Sequence, residues 1–84
     1  MIKKVTDYRY RKCSDVDKEY PFYELVWGES IILSVSLTDD GQMEVLFETD
    51  ASGCLFLMEE FERIIDEGKR LLKLELADGV PTEK

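Results

Sequence analysis

The stretch SIILSVSLTDDGQMEVLFET, Ser30 to Thr49, alternates on both sides of one turn. Leu33, Val35 and Leu37 share one parity, and Ser34, Ser36 and Thr38 the other. Beyond the turn, Met43, Val45 and Phe47 alternate with Glu44, Leu46 and Glu48. A period of two is the mark of a strand with two different faces, so this is a hairpin. A two-residue loop at Asp40-Gly41 would set Leu37 against Glu44 and mix the faces. A three-residue loop, Asp39-Asp40-Gly41, pairs Leu37 with Met43, Val35 with Val45 and Leu33 with Phe47. That register keeps each face uniform and puts Gly41 in the left-handed bulge position.

The same test extends the sheet towards the N-terminus. Phe22 to Trp27 is aromatic and β-branched. A turn at Gly28-Glu29-Ser30 pairs Trp27 with Ile31, Leu25 with Leu33 and Tyr23 with Val35. Lys4 to Arg11 alternates weakly, with Thr6, Tyr8 and Tyr10 on one face, and Cys54 to Leu57 is a candidate fifth strand. From Met58 to about Leu74 the period changes. Met58, Phe61, Ile64, Ile65, Gly68, Leu71 and Leu72 form one helical stripe. Acids open this helix and Lys69, Arg70 and Lys73 lie near its end, as the helix dipole favours. No Ser, Thr, Asp or Asn precedes Met58 as an N-cap. Gly68 lies on the apolar stripe, where it allows close approach to the sheet. The expected fold is α+β: an antiparallel sheet of four to five strands with one C-terminal helix packed on the face of Leu33, Val35, Val45 and Phe47. Residues 1–76 form a single domain, and 77–84 a flexible tail.

Charge is unevenly distributed. The net charge is −8, and residues 13 to 62 hold thirteen acids against one base, Lys18. The first twelve residues instead hold five bases against Asp7. Such an acidic middle keeps a small protein soluble, or else suits a basic partner. The hairpin register defines where those acids stand. The outer face presents Val26, Ile32 and Leu46 rimmed by Glu24, Glu44 and Glu48, with Asp39 and Asp40 at one end. An apolar centre with a charged rim fits a protein-binding face. The alternative is that a loop or the N-terminal segment, through Tyr8 and Tyr10, covers it.

No constellation points to catalysis. The chain has no histidine, which excludes Ser–His and Cys–His nucleophile pairs. The paired carboxylates Asp39-Asp40 and Glu59-Glu60 fall in a turn and an exposed first helical turn, where neither is desolvated for acid/base work. Asp15-Val16-Asp17-Lys18-Glu19 lacks the glycine and the final bidentate acid of a calcium loop. Cys13 and Cys54 are too far apart in sequence for a zinc site without histidine, and are expected as reduced thiols. No cofactor, metal or small-molecule substrate is implied. No stretch has the apolar length of a membrane span, and no apolar segment follows the basic start as in a signal peptide, so a cytoplasmic protein is expected. The basic residues around Tyr8 and Tyr10 could suggest nucleic acid, but the acidic middle would repel phosphate.

The block from Pro21 to Lys73 has a further likeness. A strand–turn–strand with Asp39-Asp40-Gly41 at the turn, then the helix EEFERIIDEGKRL from Glu59, resembles small immunity proteins of bacterial contact-dependent growth inhibition and other polymorphic toxin systems. The resemblance implies a non-catalytic acidic inhibitor that binds and neutralises a cognate toxin domain, a nuclease in many such systems. It marks no site residue. Two other readings stay open: a nucleic-acid-mimicking phage inhibitor of host defence, and a structural protein that pairs with itself through an open sheet edge.

Overall fold

The computed structural model describes residues 1–79. Six strands precede one helix: β1 (Lys3–Lys4), β2 (Arg9–Cys13), β3 (Phe22–Trp27), β4 (Ser30–Leu37), β5 (Met43–Phe47), β6 (Cys54–Leu55) and α1 (Met58–Gly79). Strands β2-β3-β4-β5 make an antiparallel sheet in that order, and β1 pairs with β6 in parallel as a separate short ribbon. This is the expected α+β arrangement of an antiparallel four-stranded sheet with a C-terminal helix.

The central hairpin has the expected register. Leu37 faces Met43, Val35 faces Val45, and Leu33 faces Phe47. Gly41 takes φ +85°, and its N–H donates to the Thr38 carbonyl at 2.8 Å. The Gln42 N–H donates to the Thr38 hydroxyl at 3.0 Å and the Thr38 N–H to the Gln42 carbonyl at 2.8 Å, so Thr38 closes the loop three times.

The β3–β4 hairpin departs from expectation at its turn end. Tyr23 faces Val35 and Leu25 faces Leu33 as expected, but Trp27 faces Ser30 and Val26 faces Ile31. The register shifts between Leu25 and Val26, leaving Ile32 as an extra residue. A two-residue turn, Gly28-Glu29, replaces the three-residue one, and the bulge absorbs the difference. The N-terminal strand also divides. Asp7 adopts a left-handed φ of +56°, which no strand can continue through, so Lys4 and Arg11 lie on different strands.

The helix runs over β3 and β4. Leu25, Leu33, Val35 and Leu37 pack with Ile64 and Leu72 in the core. Each fully buried Leu or Ile contributes about 1.5–3 kcal/mol relative to exposure. Gly68 permits the contact, as the apolar stripe implied. A Cβ there would stand 2.9 Å from the Tyr10 hydroxyl and 3.3 Å from both Val35 methyls. Strand β5 lies outside this cover. All five of its residues are exposed, including Val45 and Phe47, which were expected beneath the helix. Phe47 retains one partner, stacking on Phe61 at 6.4 Å between ring centroids.

The helix ends beyond Leu74. Residues 77–79, expected in the tail, belong to α1; the rest of the expected tail, 80–84, lies outside the described residues. The added turn carries Glu75, which is buried and accepts a hydrogen bond from the Tyr23 hydroxyl at 2.5 Å and an ion pair from Lys12 at 3.0 Å. At the other end, the Glu60 carboxylate accepts from the Leu57 N–H at 3.3 Å. This is the reciprocal half of a capping box, and it serves where no Ser or Thr cap exists.

Candidate partner-binding face

The outer sheet face carries a groove of about 350 Å³. Its walls come from the register. Glu24 on β3 stands beside Ser34 on β4, which stands beside Leu46 on β5; one step along, Ser36 stands beside Glu44. Glu48 completes the rim. The structure thus brings together four of the expected binding residues, Glu24, Glu44, Leu46 and Glu48. Leu46 is 61% exposed, an apolar side chain among acids.

The rest of the expected patch is not on this surface. Val26 is 4% exposed and Ile32 only 1%. Ile32 packs with Leu25 and Leu33 in the core cluster. The bulge is the reason: one extra residue in β4 breaks the strict alternation that placed Ile32 outward. Asp39 and Asp40 are exposed in the β4–β5 turn but do not line the groove.

Local bonds divide the three glutamates. Glu24 accepts from Arg11 at 2.5 Å and from the Cys13 thiol at 3.3 Å. The Arg11 hydrogen bond holds its carboxyl below the usual range, so it stays ionised. Burial pushes the Cys13 thiol up, with Glu24 adding to it, so this thiol is no activated nucleophile. Glu44 accepts from the Ser36 hydroxyl at 3.2 Å through one oxygen. Lys18, the lone base of the acidic middle, also lines the groove, with its ammonium 5.5 Å from the Phe22 ring centre. Ser34 is 9% exposed at the groove floor, and among the described residues its hydroxyl has no hydrogen-bond partner. Buried hydroxyls are rarely left so.

A second feature escaped the sequence reading. Met43, Val45 and Phe47 face the helix side of the sheet, yet remain substantially exposed. Among the described residues no strand lies beside the outer edge of β5. The Glu48 N–H donates to the Ile32 carbonyl at 2.9 Å, which fixes the hydrogen-bonding parity of the strand. Glu44 and Leu46 share that parity and point their backbone groups at β4. Met43, Val45 and Phe47 therefore point theirs outward. An apolar edge strand with unpaired backbone groups is a template for another strand.

A crevice of about 440 Å³ lies between β2, β3 and the helix. Some of its polar groups are held within the fold. Tyr10 donates to the Ile64 carbonyl at 2.7 Å, and Lys12 pairs with Glu75. Arg9 and Arg63 also line it, so the acidic groove with its neighbouring edge is the better candidate for a basic partner. Among the described residues no group of three or more Cys, Asp or Glu is placed to hold a metal ion, and no helix is long and apolar enough to cross a membrane. Cys13 and Cys54 are free thiols. No protein-family model, curated protein or solved structure matches the chain.

Proposed function

We propose that this chain is a non-catalytic acidic inhibitor that neutralises a cognate toxin domain, a nuclease with a basic cleft, by protein–protein contact. The observation that supports it most is the gathering of Glu24, Glu44 and Glu48 around Leu46 on one exposed sheet face. Long-range attraction between this face and a basic cleft would speed encounter, and the apolar contacts would hold the complex. Val26 and Ile32 have no place in that contact, because both are buried.

The test is co-expression with any toxin domain encoded beside the gene, followed by binding kinetics at two salt concentrations. Wild-type chain should restore growth. Glu44→Lys with Glu48→Lys should slow association about tenfold or more at low salt and flatten its salt dependence. Leu46→Asp should speed dissociation instead. Growth arrest that persists with abundant folded chain would dispose of the inhibitor reading.

A further inference from the structure

We infer, resting on the inhibitor reading, that the partner adds an extended segment to the free edge of β5, and that this segment alternates basic and apolar residues. Three features specify it. The outward N–H and C=O groups of Met43, Val45 and Phe47 can continue the sheet by main-chain hydrogen bonds. An added strand sends alternate side chains to opposite faces. On the helix side these meet Met43, Val45 and Phe47, which are exposed and apolar, and so must be apolar themselves. On the other side they meet Glu44, Leu46 and Glu48 at the groove, and so must be cationic.

The groove is suited to a guanidinium or ammonium on a long stem. Glu44 has one carboxylate oxygen beyond its bond to Ser36, and the buried Ser34 hydroxyl offers an acceptor that nothing in the described chain uses. Lys18 already holds a cation at the same place, so an incoming Arg would replace an internal ammonium with a bidentate donor. A second copy of this chain fits less well at the same edge. It would bring another net −8 to the groove, and its own strand β5 carries no base.

The probe is a synthetic peptide alternating arginine and valine, titrated into the purified full chain and followed by amide chemical shifts and calorimetry. Val45→Pro removes one outward N–H and no bond to β4, because proline is tolerated on the free side of an edge strand. It should weaken binding about tenfold, the change expected for one lost backbone hydrogen bond. Val45→Thr keeps the N–H and should bind like wild type. Should Val45→Pro fail to fold, a peptide N-methylated at alternate amides makes the same test on the wild-type chain. A peptide of equal composition with its arginines in one block should bind weakly. Equal binding of the block peptide, or of Val45→Pro, would leave charge attraction only and overturn strand addition, while growth rescue by the wild-type chain would still support inhibition. Absence of any peptide binding, or a dimer abolished by Val45→Pro, would also overturn it, the latter by naming a second copy as the occupant.

Discussion

Tyr10 and Phe47 stand at the two ends of one cross-strand row, Tyr10–Leu25–Leu33–Phe47, and are held very differently. Tyr10, on edge strand β2, is half-buried and gives its hydroxyl to the helix backbone. Phe47, on edge strand β5, is 56% exposed and has one aromatic neighbour on the helix. The same contrast runs along both edges. Strand β2 displays Arg9, Arg11 and Lys12, the last two paired to Glu24 and Glu75. Strand β5 displays Met43, Val45, Leu46 and Phe47 with a single acid, Glu44. Charged residues make an edge unattractive to other strands, whereas an apolar edge invites them. One edge is therefore guarded by charge, and the other leaves apolar side chains exposed.

The largest expected effect tests that contrast directly. Tyr10→Ala should cost about 2–4 kcal/mol in denaturant unfolding, through lost packing and a lost hydrogen bond. Phe47→Ala should cost about 1 kcal/mol or less, since much of its ring is already in water. Equal losses at the two positions would break the comparison.

A smaller effect sharpens it by locating the close approach. Gly68→Ala should destabilise by about 1–3 kcal/mol through overpacking, less whatever helix propensity returns. The methyl would press on the Tyr10 hydroxyl. Tyr10→Phe removes that oxygen, so the double variant should lose less than the sum of the two single changes. Strict additivity would show that the helix does not pin β2 at this point.

The smallest effect concerns pH. The hydrogen bond from Tyr23, aided by Lys12, lowers the Glu75 carboxyl below its ordinary 4.5. The unfolded chain then binds the proton more readily than the folded one. Stability from this group is present above about pH 4.5 and is lost as pH falls through the folded value. Glu75→Gln should remove about 1 kcal/mol near neutral pH and less in acid, so its stability profile should converge on that of the wild type as pH drops. Parallel profiles would mean that Glu75 does not tie β2 and β3 to the helix end.

Much of the candidate face could be read from residue order, and particular residues show why. Glu24, Glu44, Leu46 and Glu48 were assigned together because a hairpin register follows from side-chain parity alone. Ile32 was misplaced because a single-residue bulge in β4 overrides parity, and nothing local announces it; Val26 keeps its parity on β3 yet is buried, which parity alone does not foresee. The free apolar side of β5 was missed for a different reason. The stripe on α1 says that the helix covers a sheet, but not which two strands lie beneath it.

Strand existence, the central register, the Gly41 turn and the amphipathic helix were determined by the sequence itself. Each depends on residues a few positions apart, where steric and hydrophobic periodicity act directly. The lateral seat of the helix over β3 and β4, the last helical turn that carries Glu75, and the exposure of β5 were decided only in three dimensions. Each depends on contacts between residues far apart in the chain: Gly68 against Val35 and Tyr10, Glu75 against Tyr23 and Lys12. Local pattern carries no information about such pairs, because their free energy arises only when the elements meet.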